Sequence, residues 1–214
     1  MAERAIVHGD PEDVGNRLAQ MGLTQEVLWS AVLEGYVARQ TCTELDPPSF
    51  RGFTGWAVTT RALRKRLLGG GWEMSNSENY ALTISRERSL AIAIATGDSE
   101  TGVLGGNPRT NSEKGPKTLA AICVNREQIE LFERDERAFS RQDEQPIQTW
   151  ILLVTFDGPS IRSELSLPNG WDEDGRIADW RERIVLSGDD STSFPLRLPE
   201  SGPDFDVDVT RRVG

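Results

Sequence analysis

In the first third of the chain, apolar residues recur every three or four positions, which is the spacing of amphipathic helices. Asp10 and Thr24 each precede such a segment and have the side chains of helix N-caps. The predicted helices are Asp10 to Met21, Gln25 to Arg39 and Thr54 to Leu68. The second is apolar nearly all round, which favours a central position in a helical layer. In the third, Phe53, Trp56 and Leu63 belong to one stripe that we expect to be buried.

After Gly69-Gly70-Gly71 the apolar residues alternate with polar ones, which is the spacing of β-strands. Tyr80 to Ser85 and Leu90 to Thr96 are predicted to pair as a hairpin. One face of the second strand carries leucine and isoleucine, whereas the other face carries only alanine. We expect the apolar second helix to pack closely against this flat alanine face.

The rest of the chain contains further strand and helix patterns. In chain order they are Thr118 to Val124 (a strand or a short buried helix), Arg126 to Phe139 (a surface helix), Gln148 to Phe156 and Ile161 to Leu167 (strands), Gly175 to Arg183 (a short helix), Ile184 to Leu186 (a strand), the loop Gly188 to Thr192 and Asp204 to Val209 (an edge strand or a tail). The strand from Gln148 is apolar on both faces and is predicted to be central. The strand Ile161 to Leu167 is predicted to pair antiparallel with it and to lie nearer an edge of the sheet, with Arg162 and Glu164 pointing outward.

These patterns predict an α+β fold in which an N-terminal helical layer packs on a mainly antiparallel β-sheet. Residues 1–71 form the helical region and residues 72–214 form a β-rich region with a long polar insert at 97–117. We expect the two regions to form one compact unit. A doubly wound parallel sheet is disfavoured, because turns rather than helices join most of the predicted strands.

The formal net charge of −10 argues against general binding to nucleic acids or membranes and favours neutral or basic partners. Cys42 and Cys123 are far apart in sequence, and buried free thiols are the expected state, as in a reducing compartment. The sequence has no pattern of a signal peptide and no long apolar run. We therefore expect a cytoplasmic protein without a membrane partner.

One segment is basic in this acidic chain. Between Pro47 and Trp72 there are five basic residues and no acidic one. They are Arg51, Arg61, Arg64, Lys65 and Arg66. The third predicted helix therefore either docks on acidic groups, of this protein or of a partner, or binds phosphate.

The insert Gly97 to Lys117 is longer than compact domains usually tolerate without a function. It contains five glycines, whose backbone N–H groups can turn toward an anion, and the cations Lys114 and Lys117. Thr101 and Asn107 add polar side chains. The insert is therefore a candidate phosphate-binding loop, although it lacks the Gly-Lys-Ser/Thr order of a P-loop. The alternative is a mobile surface loop.

Asp98 and Glu100 follow a buried strand, as the first carboxylate of a metal-dependent nuclease would, and are the candidate catalytic residues. The expected acid and lysine on the next strand are missing. His8 is the one histidine and lies near the beginning of the chain, where we expect fraying, so triads and histidine zinc sites have no support. No metal and no cofactor are predicted.

Two classes of function stay open. The first is a binding protein for a phosphate-bearing ligand, a nucleotide or a nucleic-acid end, with a site formed by Arg61, Arg64 and Lys65 of the basic helix together with the insert. The second is a non-catalytic subunit or adaptor whose acidic surface docks on a basic protein partner. A metal-dependent nuclease ranks third. The first class requires the basic helix and the two lysines of the insert to border one concavity.

Overall fold

The computed structural model describes residues 5–134, 146–157 and 160–187, and these residues have the predicted α+β fold. They form four helices and a seven-stranded mixed sheet. The elements are β1 (Ile6–His8), α1 (Pro11–Gln20), α2 (Gln25–Gln40), α3 (Phe50–Leu67), β2 (Glu73–Ser75), β3 (Leu82–Ser85), β4 (Leu90–Thr96), α4 (Pro116–Arg134), β5 (Gln148–Asp157), β6 (Ser160–Trp171) and β7 (Ile177–Ser187). Short 3₁₀ turns cover Leu68–Gly70 and Ser77–Asn79.

The strand order is β1-β7-β6-β5-β4-β3-β2. The strands β2, β3 and β4 form one antiparallel group, and β5, β6 and β7 form another. A parallel pairing of β4 with β5 joins the two groups, and β1 pairs parallel with β7 at one edge. Because β4 and β5 are parallel, the chain between them has to cross over the sheet, and it does so through the insert and α4.

The first face of the sheet is covered by α1, α2 and α3. Asp10 and Thr24 cap α1 and α2 as expected: Asp10 accepts hydrogen bonds from two backbone N–H groups of the first turn, and Thr24 accepts one. Leu18, Leu28 and Leu63, one from each helix, are fully buried. They share a core cluster with side chains of the sheet, among them Leu90, Ile92, Leu152, Leu165 and Ile184.

The second face of the sheet carries a separate core cluster. Ala93 and Ala95 of β4 pack there with Ile122 of α4 and with Leu153 of β5. The expectation that α2 covers the alanine face was therefore wrong, because α2 packs on the leucine and isoleucine face and α4 lies on the alanine side. The pattern of one strand separates its two faces, but the crossover between β4 and β5 decides which helix reaches each face.

The structure corrects two element predictions and decides between the alternatives for a third. For Thr118 to Val124 the helical one of the two predicted alternatives is correct, and the segment is continuous within α4 with the next predicted helix, whose residues 135–139 lie outside the described part. Ile161 to Leu167 lies inside β6, which is interior because β7 and β1 lie beyond it. Gly175 to Arg183 belongs mostly to β7 rather than to a helix. The pairing of β6 with β7 is irregular around Pro168 and Gly170. Ile177 and Trp180 are three positions apart, as on one face of a helix, and both belong to the core cluster on the second face of the sheet.

His8 is held in an ordered strand, contrary to the expected fraying. Its Nδ1 lies 2.7 Å from Asp13 Oδ2, and its Nε2 lies 3.0 Å from Glu182 Oε1. Arg17 also pairs with Glu182, at 2.5 Å between Nε and Oε1, and this hydrogen bond raises the pKa of the guanidinium. The edge strand β1 is thus tied to α1 and β7.

Both cysteines are free thiols, as expected. Cys42 is buried, but Cys123 is exposed on α4, so its predicted burial was wrong. The predicted loop 188–192 and edge strand 204–209 lie outside the described residues. Among the helices that are described, none has both the length and the apolarity needed to cross a bilayer.

Candidate functional site

The loop of residues 97–115 is anchored by a buried ion pair between β6 and β7. Arg183 donates from Nε to Glu164 Oε1 at 3.0 Å and from Nη2 to Oε2 at 2.5 Å. The side chains are 3% and 0% exposed. The sequence pattern predicted Glu164 to point outward to solvent, and this was wrong, because the 97–115 loop covers that side of β6.

The same two side chains bind the backbone of the loop. The Gly102 N–H donates to Glu164 Oε2 at 2.9 Å, and Ser166 Oγ donates to Oε1 at 2.7 Å. Arg183 donates to the carbonyls of Gly106 at 2.6 Å and Val103 at 3.1 Å. Both buried charges are therefore paired and further hydrogen-bonded, as burial of ions requires.

Three of the five glycine N–H groups of the loop already donate within the protein. The N–H of Gly97 donates to the Val154 carbonyl at 2.9 Å, and that of Gly106 donates to the Val103 carbonyl at 3.0 Å. An anion site needs several N–H groups aimed at one point, whereas these amides, with that of Gly102, serve acceptors of the protein itself. Thr101 is completely buried, and Asn107 is exposed at the loop tip.

The two lysines of the predicted phosphate site have local partners. Lys117 Nζ lies 2.6 Å from Glu78 Oε1. Lys114 donates to Ser112 Oγ at 3.0 Å, and burial lowers the pKa of its ammonium. Neither lysine lines the groove beside the basic helix. The two lysines therefore do not border the concavity that Arg61, Arg64 and Lys65 line.

The candidate catalytic carboxylates are part of a turn. Asp98 accepts from the N–H of Glu100 through Oδ1 and from the N–H of Arg109 through Oδ2, both at 3.1 Å. Both oxygens of Asp98 therefore stabilise the local backbone. Within 5–134, 146–157 and 160–187, no three His, Cys, Asp or Glu side chains are grouped so as to hold a metal ion.

A groove of about 450 Å³ runs beside α3, between this helix, β2 and the segment that leads into β3. Its apolar lining consists of Trp56, Ala57, Leu68, Met74 and Ala81, and its cationic residues are Arg61, Arg64 and Lys65. The three predicted basic residues of α3 thus line one concavity. The apolar groove was not predicted, because Met74 and Ala81 come from the chain after the predicted helix.

The cations of the basic segment differ in what they contact. Arg64 donates to the carbonyls of Ser75 at 2.9 Å and Leu82 at 3.0 Å, and burial lowers its pKa. Arg66 pairs with Glu34, and Arg51 donates to the Cys42 carbonyl. Arg61 and Lys65 are exposed and have no ion pair or hydrogen bond from their side chains to any part of the chain that the structure describes. These two cations are available to a ligand.

Exposed apolar side chains continue the groove toward the beginning of α3. Phe53 is 60% exposed, and its ring centroid lies 5.6 Å from that of Trp56. The predicted burial of Phe53 was therefore wrong. Phe50, Leu68 and Met74 are also exposed, at 43%, 39% and 59%. We call the groove together with Phe50 and Phe53 the α3 surface.

No family model, no curated protein and no solved structure matches this chain.

Proposed function

We propose that the protein is an adaptor that binds a partner protein through the α3 surface. The observation that supports this proposal is an exposed apolar groove bordered by Arg61 and Lys65, two cations with no ion pair to any described residue. Exposed apolar patches of this kind are characteristic of interaction sites. The partner segment that fits is an amphipathic helix with acidic residues beside its apolar stripe.

The length of the α3 surface favours a polypeptide over a small phosphate-bearing ligand. From Phe50 to Leu68 the helix and its extension span about 27 Å at 1.5 Å per residue. A nucleotide on Arg61 and Lys65 would leave the distant phenylalanines in water. A helical peptide has the length to cover both the cationic and the aromatic part.

The apolar contacts and the cations contribute differently to binding. Burying one exposed large apolar side chain stabilises a complex by about 1.5–3 kcal/mol. An exposed ion pair contributes about 0–1 kcal/mol, but complementary charge raises the association rate and selects the partner. Phe53 and Met74 are therefore the expected anchors, and Arg61 with Lys65 select an acidic segment over a basic one.

The test uses three helical peptides with the same apolar face and with acidic, neutral or basic flanking residues, whose affinity is measured by fluorescence anisotropy. We expect the acidic peptide to bind most tightly. Phe53→Ala should weaken the affinity for the acidic peptide at least tenfold, which corresponds to a loss of about 1.4 kcal/mol of binding free energy. The double variant R61E/K65E should reverse the preference toward the basic peptide. Arg126→Glu on α4, an exposed charge reversal away from the groove, is the matched control and should change nothing.

Two results would contradict this function. One is equal binding of the three peptides to the wild type. The other is displacement of the acidic peptide by a nucleotide whose own affinity depends on Arg61 and Lys65 but not on Phe53, which would favour the phosphate-bearing ligand.

A further inference from the structure

A second concavity of about 560 Å³ lies on the face of the sheet opposite to α1, α2 and α3. The tip of the 97–115 loop, residues 104–107, forms one wall. Ala5 and Val7 of the β1 edge and residues 178–180 of β7 form the other, with Arg183 at its inner end. Its volume is in the range of small-molecule sites, and it has no residue in common with the α3 surface.

Among the described residues that line it, this cavity has a negative charge balance. Arg183 is neutralised by Glu164, and its Nε, Nη1 and Nη2 all donate to the carboxylate or to loop carbonyls. Asp179 accepts one hydrogen bond, from Asn169 Nδ2 at 2.8 Å, and has no cationic partner in the described part of the chain. The uncompensated charge in the cavity is therefore the Asp179 carboxylate.

Two exposed apolar side chains and an almost fully buried tryptophan also line the cavity. Leu104 is 55% exposed and Val7 is 37% exposed. The Trp180 ring is fixed because its indole N–H donates to the Pro108 carbonyl at 2.7 Å. Asn107 is exposed and also lines the cavity, and its side-chain amide oxygen can accept a hydrogen bond.

We propose that this cavity binds a small organic cation, a protonated amine with a short hydrocarbon chain. The ammonium group donates to Asp179 and Asn107, and the hydrocarbon chain packs against Val7, Leu104 and the Trp180 ring. An anion is disfavoured because Asp179 repels it and the guanidinium of Arg183 already donates within the protein. This site is independent of the α3 surface and of the function proposed for it.

The experiment titrates ¹⁵N-labelled protein with n-butylammonium, and separately with n-butanol and n-butyrate as neutral and anionic probes of the same chain length. We expect saturable amide shifts at Val7, Asn107 and Asp179 with butylammonium alone. Asp179→Asn should weaken binding at least tenfold. Glu173→Gln, which removes an exposed carboxylate at the β6–β7 turn, is the matched control and should leave the affinity unchanged.

A second variant, Leu104→Ala, keeps every charge and removes part of the apolar wall, and it tests the site even if Asp179→Asn fails to fold. It should weaken butylammonium binding severalfold while the spectrum stays dispersed. The proposal is overturned if butylammonium gives no saturable shifts, if butyrate binds as well, or if a folded Asp179→Asn or Leu104→Ala protein binds as the wild type does.

Discussion

Arg183 and Glu164 form a two-point ion pair inside the protein, and the same two side chains hold residues 102–106 against the sheet. The 97–115 loop thereby covers the part of the second face that α4 does not reach. A glycine-rich segment that looks mobile in the sequence is a structural layer of the fold.

Removing one partner of this pair should destabilise the protein strongly. Arg183→Met leaves the Glu164 carboxylate buried without its cation, and such a change lowers the free energy of unfolding by about 3–5 kcal/mol. Urea denaturation measures this loss, and hydrogen exchange should show weaker protection of the loop amides. Arg86→Ala, which breaks the exposed pair with Glu73, should cost less than about 1 kcal/mol. A similar small loss for Arg183→Met would show that the pair does not hold the loop.

The contact between α2 and α3 depends on Gly35. A Cβ added there would lie 1.9 Å from Thr59 Oγ1 and 2.8 Å from the Gly55 carbonyl oxygen. Gly35→Ala should therefore force the helices apart and lower the unfolding free energy by about 1–3 kcal/mol. Gly15→Ala in α1 has open space around the new methyl group, and it should stabilise by about 0.5–1 kcal/mol. Thermal melts should show a lower melting temperature for Gly35→Ala and a higher one for Gly15→Ala. A change in the same direction for both variants would refute the close contact at Gly35 as the cause.

Asn125 joins α4 to the beginning of β5. Its side chain is fully buried, donates to the Thr149 carbonyl at 3.0 Å and accepts from the Thr149 N–H at 2.9 Å. Asn125→Leu removes both partners of the Thr149 backbone, and each buried unsatisfied group costs about 1–3 kcal/mol. Chemical denaturation should show a clear loss of stability. Arg126→Ala at the next, exposed position is the control and should be nearly neutral.

Asp172 at the β6–β7 turn should make stability depend on pH in the acid range. Its pKa lies below the ordinary value because the Arg176 N–H donates to it and Arg109 pairs with it. The folded state thus favours the charged form, so this contribution is complete above the unfolded pKa of about 3.9 and disappears as pH falls through the lower folded pKa.

We therefore expect the stability difference between the wild type and Asp172→Asn to shrink as pH falls from about 5 to about 2. Urea denaturation at a series of pH values measures this difference in the free energy of unfolding. Glu173→Gln is the control at the neighbouring position. A difference that stays constant over this range would exclude a depressed pKa.

Features that depend on residues close together in the chain were predictable from the sequence. The N-caps Asp10 and Thr24, the β3–β4 hairpin and the central position of β5 each follow from a local pattern. Helix periodicity, capping and turn chemistry act over a few residues, so the sequence displays them directly.

Tertiary structure alone decided the rest. Glu164 is buried because Arg183, 19 positions later, neutralises it and because Gly102, 62 positions earlier, donates to it. The α3 surface likewise needs Met74 of β2 and Ala81 beside the helix to become a groove. Such contacts join residues far apart in the chain and leave no periodic signal, since burial of a charge or exposure of an aromatic ring depends on what the folded chain places next to it.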